Sequence, residues 1–154
     1  MRSEFDQVIH VVRNISRRLL PASMEGDTLE RTLAILCQNM EHPGTGHIHF
    51  ENNGAPVSLE AQTERYLFRI VQELIGNTLK HAASKSAIVQ VTKTDALLAV
   101  TVEDDGKGFD VSVLERSKGM GWTNIQHRVD FLKGRLDVRS SPGKGTSVHI
   151  EFNV

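Results

Sequence analysis

The sequence lacks the features that mark several large classes of protein. Its 154 residues include a single cysteine, Cys37, so no disulfide can form within the chain, and a reducing compartment is expected. No apolar run approaches the roughly 18 residues of a membrane-spanning helix, and no signal-peptide pattern opens the chain. We therefore expect a cytoplasmic domain that makes no membrane contact itself, although a longer parent protein could be anchored in one.

An excess of charge is also missing. Eighteen lysine and arginine residues nearly balance nineteen aspartate and glutamate residues, for a formal net charge of −1. Domains that bind nucleic acid through its phosphates usually carry a clear basic excess. A near-neutral chain of this length predicts one domain that can bury a core without cross-links and that has no nucleic-acid partner.

Hydrophobic periodicity divides the chain into helices and strands. Apolar residues at spacings of three and four are typical of amphipathic helices, and alternation is typical of half-buried strands. The predicted helices cover 5–19, 28–40, 60–82 and 122–132, and the predicted strands cover 47–51, 87–94, 97–103, 135–140 and 146–152. A turn is predicted at 52–56, and Gly134 is predicted as the C′ residue of the last helix. This pattern predicts an α+β sandwich with helices on one face of the sheet.

The longest predicted helix carries a group of polar residues on one side. Glu73, Asn77, Lys80 and His81 lie at positions i, i+4, i+7 and i+8, within a sector of about 100°. An ordinary solvated face would explain such a group, but it would not require asparagine, a poor helix former, in mid-helix. A carboxylate and an amide one turn apart are suited instead to a water molecule and a hard cation.

Two glycine-containing turns follow this helix. In the first, Asp104 offers an acceptor carboxylate beside Gly106 and Gly108, where a flat base could approach the bare backbone. In the second, Gly119 and Gly121 precede a helix whose free N–H groups would favour phosphates. Each turn alone could be an ordinary loop, and neither is a P-loop or a dinucleotide fingerprint. The polar helix and both turns, in this order, predict a nucleotide-binding site.

With these motifs, the sequence resembles the ATP-binding catalytic domain of sensor histidine kinases, part of an ATPase superfamily that also includes gyrase and MutL. Residues 72–82 match the family's N box, 102–110 its first glycine box and 119–128 its second. Ser141-Pro-Gly-Lys-Gly-Thr146 matches its Pro-Gly-x-Gly-Thr element. The match covers 60–154 and implies a Bergerat-type two-layer α/β sandwich, with a mixed sheet backed by about three helices.

The resemblance also implies roles for the polar helix, with ATP and Mg²⁺ as ligands. Glu73 would orient or deprotonate the attacking group, and Asn77 would bind magnesium. Lys80 and His81 would lie near the phosphates. Catalysis would consist mainly of positioning and charge neutralisation.

Further roles follow for the turns. Asp104 would accept a hydrogen bond from the adenine amino group, and the two glycines of the first box would admit the base. Gly119 and Gly121 would hinge a lid over the triphosphate, and 107–121 is expected to be mobile without nucleotide. Thr146 would support the pocket floor near the adenine.

The N-terminal part indicates a subclass. Residues 13–21 resemble the end of the second dimerisation helix in kinases paired with helix-turn-helix response regulators, so we expect a dimerisation stub over 1–21 and the catalytic domain over 22–154. Partners would be a response regulator and the dimerisation domain of the parent kinase. The family's phospho-accepting histidine precedes an acidic residue, and none of the seven histidines here does, so the acceptor is expected outside this chain.

The sequence therefore predicts a protein histidine kinase fragment that transfers the γ-phosphoryl group of ATP to a histidine. One alternative is an anti-sigma-type serine kinase of the same superfamily, whose partner would bring the acceptor. Another is a nucleotide-binding module without turnover, against which the presence of Glu73, Asn77 and Asp104 argues.

Overall fold

The computed structural model describes residues 28–41, 46–54, 57–81, 86–112 and 120–154. The helix predicted over 5–19, the dimerisation stub and the 113–119 part of the predicted lid lie outside these residues. The division of the chain at residue 21 therefore stays a prediction.

Three helices are present in the described part. They are α1 (Leu29–Met40), α2 (Ala61–His81) and α3 (Met120–Phe131). Helix α1 begins directly after Thr28, whose Oγ1 accepts a hydrogen bond from the Arg31 amide at 3.3 Å and so caps the first turn. None of the described helices has both the length and the apolar character required to cross a membrane.

Five strands form one mixed sheet. They are β1 (His47–Gly54), β2 (Ser86–Thr94), β3 (Leu97–Asp104), β4 (Arg135–Ser140) and β5 (Thr146–Asn153). The strand order is β1-β2-β3-β5-β4. Strand β1 pairs parallel with β2, because the chain returns through α2 between them, and the other pairs are antiparallel. The mixed sheet and the three helices confirm the predicted fold class.

The hydrophobic core lies between the helices and one face of the sheet. Alternate residues of the central strands, such as Val100 and Ile150, have no exposed surface. Leu67, Val71 and Leu74 of α2 supply the facing apolar stripe and are also buried. This arrangement follows from the two periodicities, since a strand buries every second residue and a helix buries one side.

The turn predicted at 52–56 was partly wrong. Strand β1 continues through Gly54, which pairs with Lys93 of β2. Asn52 and Asn53 are exposed within the strand, because β1 is the edge of the sheet. An exposed edge strand tolerates residues that are poor strand formers, so composition alone suggested a turn.

The end of α3 also differs from the prediction. Lys133 is the left-handed residue, with φ of 55°, and Gly134 follows it as C″. The Gly134 amide donates to the Val129 carbonyl at 3.0 Å and the Lys133 amide to the Asp130 carbonyl at 3.0 Å, which is a Schellman motif. A Cβ on Gly134 would lie 2.8 Å from the Glu151 carbonyl oxygen, so close packing against β5 accounts for this glycine.

The two ends of the sheet are built differently. At the Asp95 end, Asp95 and Ala96 join β2 to β3 in a tight hairpin. At the Asp104 end, β3 stops at Asp104, β4 stops at Ser140 and β5 begins at Thr146. Most of the residues predicted to bind a nucleotide lie at or beside the Asp104 end.

Candidate nucleotide-binding site

Helices α2 and α3 meet at the predicted polar group. A Cβ built on Gly121, in the first turn of α3, would lie 2.7 Å from Glu73 Oε1 and 3.7 Å from Asn77 Oδ1. A larger residue at this position would therefore displace the Glu73 carboxylate. The structure brings together three residues that the sequence placed in one site from two separate motifs.

The Asn77 side chain is half-buried, and its amide nitrogen, Nδ2, is buried without a hydrogen bond among the described residues. Buried polar atoms nearly always have a partner, and leaving one without a partner costs roughly 1–3 kcal/mol. An amide in this state, beside a carboxylate and a bare glycine, fits a site that a bound ligand completes.

The two helices run in opposite directions. Glu73 in the second half of α2 faces the start of α3, whereas Tyr66 near the start of α2 stacks on Phe131 at the end of α3, with ring centroids 4.2 Å apart. The first turn of α3, which carries the positive end of the helix dipole, therefore lies beside the polar half of α2. Such a helix end attracts anions, including phosphates.

The Asp104 carboxylate is held by two donors. Its Oδ1 accepts from the Gly106 amide at 2.9 Å, and its Oδ2 accepts from Thr78 Oγ1 at 3.3 Å. Thr78 was not among the predicted site residues. The signal was present, because Thr78 continues the buried stripe of Leu67, Val71 and Leu74, where a hydroxyl requires a partner.

Glycines let the loop after Asp104 pack against the turn between β4 and β5. Gly145 has φ of 73°, and a Cβ there would overlap the Asp104 carbonyl oxygen. Gly108 has φ of 63°, and a Cβ there would likewise overlap the Ser141 carbonyl oxygen. The Gly143 amide donates to the Lys107 carbonyl at 2.6 Å, which joins the two segments.

Ser140 links both segments through its hydroxyl. Its Oγ donates to the Gly145 carbonyl at 3.0 Å, accepts from the Phe109 amide at 2.9 Å and lies 2.9 Å from Thr146 Oγ1. The Ser140 proton is committed to the carbonyl, so the Thr146 hydroxyl is the donor in the third contact. Thr146 also pairs with Asp104 across β3 and β5, so the two residues are neighbours at this end of the sheet.

A cavity of about 640 Å³ opens beside these residues and is lined by Asp104, Val138, Ser140 and Thr146, among others. Small-molecule sites usually enclose 300–1,000 Å³. Phe109 and Trp122, with ring centroids 6.1 Å apart, connect the loop at this cavity to α3. The hydrogen bond from Thr78 to Asp104 joins α2 to the lining of this cavity.

A comparison with known protein families decides what this region belongs to. Residues 62–154 match the model of the histidine kinase-, DNA gyrase B- and HSP90-like ATPases. The chain belongs to this ATPase family. The family predicted from the motifs is confirmed.

Relatives narrow the position within the ATPase family. The chain is 29% identical over its whole length to the sensor histidine kinase ComP of Bacillus subtilis. It is 34% and 35% identical over 115 residues to the signal transduction histidine-protein kinase/phosphatase DegS of Brevibacillus brevis and of Bacillus subtilis, covering 74% and 72% of this chain. It spans 20% of ComP and 29% and 30% of the two DegS proteins.

Solved structures agree with this placement. The histidine kinase domain of the blue-light activated histidine kinase from Erythrobacter litoralis superimposes with a TM-score of 0.71 at 26% identity. The superposition covers 89% of this chain and 73% of that domain. The sandwich is thus the fold of a histidine kinase ATPase domain.

Within this ATPase domain, some predicted site residues can be placed and others cannot. Lys80 and His81 form the last residues of α2, but the structure describes only their backbone. Gly119 lies outside the described residues. The predicted roles of the site residues in binding and catalysis stay predictions, and the mobility of the lid is likewise untested.

Proposed function

We propose that this ATPase domain binds Mg-ATP between α2, α3 and the Asp104 end of the sheet, and that it transfers the γ-phosphoryl group to a histidine of the parent kinase. The observation that carries the proposal is the buried Nδ2 of Asn77, which has no hydrogen-bond partner in the part of the chain that the structure describes and lies beside the Glu73 carboxylate and under Gly121. Three features from two motifs converge on one small volume, which an ordinary solvated helix face would not require.

The phosphates and the metal belong at the junction of the helices. Asn77 would hold Mg²⁺ through its amide oxygen, and magnesium, when bound, neutralises charge on the phosphates. The first turn of α3 would receive phosphate oxygens at its free N–H groups. Glu73 would align the attacking nitrogen and accept its proton, a role that a carboxylate within hydrogen-bonding reach can fill.

The base belongs beside the sheet. A carboxylate accepts hydrogen bonds and donates none, so Asp104 favours a ring that presents an amino group, as adenine does. Gly106 and Gly108 would leave room for the base to approach, and Thr146 lines the cavity together with Asp104. These features support adenine as the preferred base.

The whole-protein context is inferred from the relatives. Sensor and signal transduction histidine kinases surround a domain like this with other segments, and this chain spans less than a third of them. We therefore propose a cytoplasmic domain that works with a dimerisation domain bearing the acceptor histidine and with a response regulator. The serine kinase alternative would yield an acid-stable label on its target, whereas phosphohistidine is acid-labile.

Calorimetry with ATP, with and without magnesium, tests the proposal. Magnesium should tighten ATP binding to the wild type, and Asn77→Ala should abolish that gain while leaving metal-free binding nearly intact. Asn153→Ala, at an exposed position at the Asp95 end, is the matched control and should behave as the wild type. Absence of binding at millimolar ATP would contradict the proposed function.

A further inference from the structure

Thr78 combines deep burial with a specific polar partner. The residue is 7% exposed, on the side of α2 that packs toward the sheet. Its hydroxyl donates to Asp104 Oδ2 at 3.3 Å, across 26 residues of sequence. A buried threonine hydroxyl often bonds to its own helix backbone, but here it reaches the carboxylate proposed to recognise the base.

The hydrogen bonds of Asp104 can be counted. A carboxylate offers about four acceptor positions, two on each oxygen. The Gly106 amide occupies one on Oδ1 at 2.9 Å, and Thr78 occupies one on Oδ2. Among the described residues, these two donors leave each oxygen with acceptor capacity for a ligand. Together the two donors oppose rotation about the terminal torsion, which is otherwise broad for aspartate.

We infer that Thr78 is a positioning residue for purine selectivity: its hydroxyl holds the Asp104 carboxylate in the orientation that favours a ring amino group over a ring carbonyl. This inference rests on the proposed function, because it assumes that Asp104 receives the base. Thr78 itself need not touch the nucleotide. Its influence passes through the carboxylate, so it should appear in discrimination between bases.

Inosine triphosphate provides the probe. It replaces the adenine amino group by a carbonyl, whose oxygen is repelled by an acceptor carboxylate at that position, moves the ring donor to N1–H, and keeps the ribose and phosphates. A fixed carboxylate should therefore separate ATP from inosine triphosphate more strongly than a mobile one. Calorimetric affinities for both nucleotides, measured in the presence of magnesium, report this separation as a ratio.

Thr78→Val removes the hydroxyl with little change of shape, and Thr78→Ser retains it. We expect Thr78→Val to weaken ATP binding by about five- to tenfold, the range of one hydrogen bond, with little change for inosine triphosphate. The ratio should fall accordingly, and Thr78→Ser should keep it. Thermal unfolding checks that the variants fold, and Thr78→Ala carries the same test if the valine variant does not.

The outcomes separate this inference from the proposed function. If the wild type binds ATP without preference over inosine triphosphate, Asp104 does not recognise the base. That result contradicts the proposed function itself, whatever Thr78 does. If the wild type discriminates and Thr78→Val weakens both nucleotides equally, Thr78 is merely structural and the inference is wrong. An unchanged ratio in Thr78→Val, or a ratio lost in Thr78→Ser, would also overturn it.

Discussion

The two ends of the sheet close in opposite ways. At the Asp95 end, the left-handed Asp95, with φ of 51°, and Ala96 complete the hairpin within two residues, and the Val154 amide donates to the Ala96 carbonyl at 2.7 Å. At the Asp104 end, closure depends on contacts between distant segments. The Phe109 amide, for example, donates to Ser140 Oγ, 31 residues away in the sequence.

The difference indicates which end of the sheet is less stable because it forms a ligand site. Local turn chemistry closes the Asp95 end, so few of its residues should be individually critical. The Asp104 end keeps a cavity open and holds it with backbone contacts at glycines and with polar side chains that have few substitutes. Ligand-binding loops commonly lie in the parts of a structure with low local stability. Substitutions should therefore have unequal effects at the two ends.

The largest effect is expected for Glu73→Gln. Binding of Mg-ATP should stay within about twofold, because the amide keeps the shape, whereas phosphoryl transfer should fall roughly 10²- to 10⁴-fold, the usual contribution of a general base. The measurement is autophosphorylation of a full-length protein carrying this domain. Glu60→Gln, at an exposed position before α2, is the control. Unchanged transfer in Glu73→Gln would remove the catalytic role from Glu73.

Gly145→Ala should destabilise the domain by about 3 kcal/mol or more, because the new Cβ combines a left-handed backbone with overlap on the Asp104 carbonyl. Gly143→Ala separates the cost of the left-handed backbone from the cost of the overlap. Gly143 is also left-handed, with φ of 82°, but a Cβ there meets nothing within 4 Å, so only the backbone cost of about 1–2 kcal/mol applies. Chemical denaturation measures both. Equal losses would show that close packing at the Asp104 end is unimportant.

Asp104→Asn should weaken ATP binding by about ten- to a hundredfold, because a charged acceptor contributes roughly 1.5–3 kcal/mol. Asp95→Asn makes the same chemical change at the opposite end, where asparagine also tolerates the left-handed conformation. It should leave affinity unchanged. Calorimetry with ATP compares the two variants, and similar losses in both would mean that the effect is one of net charge.

The sequence predicted the elements better than their ends. Periodicity gave all three described helices and all five described strands, since burial on one face leaves a strong pattern. It failed at Gly54 and at Gly134. Asparagine and glycine before and at Gly54 were interpreted as a turn, and Gly134 was interpreted as the C′ residue of a helix. Both positions are explained by neighbouring strands, through the edge position of β1 and the approach of α3 to β5. Such long-range causes leave no local signal.

The residues of the candidate site could be predicted where the signal is local in the sequence, and not where it depends on contacts between distant segments. Glu73 and Asn77 could be paired because helical spacing is local, and the resemblance connected them to Asp104 and Gly121. The supporting residues Thr78 and Ser140 were missed, and Gly145 was noted only as part of the Pro-Gly-x-Gly-Thr element, without a role. Their importance lies in contacts formed between segments far apart in sequence, which a motif does not record.

The smallest effect is expected at Gly76, which tests whether every glycine near the site serves it. Gly76 lies within α2 beside Asn77, and a Cβ there would meet nothing within 4 Å. Gly76→Ala should therefore stabilise the domain by about 0.5–1 kcal/mol, the helix preference of alanine over glycine, without changing Mg-ATP affinity. Gly121→Ala should show the opposite pattern, with weaker binding and little change in stability, because its Cβ would push on the mobile end of Glu73. Denaturation and calorimetry on both variants distinguish the roles. Weaker nucleotide binding in Gly76→Ala would mean that α2 must bend beside Asn77, and glycine would then be needed on the helix as well as in the turns.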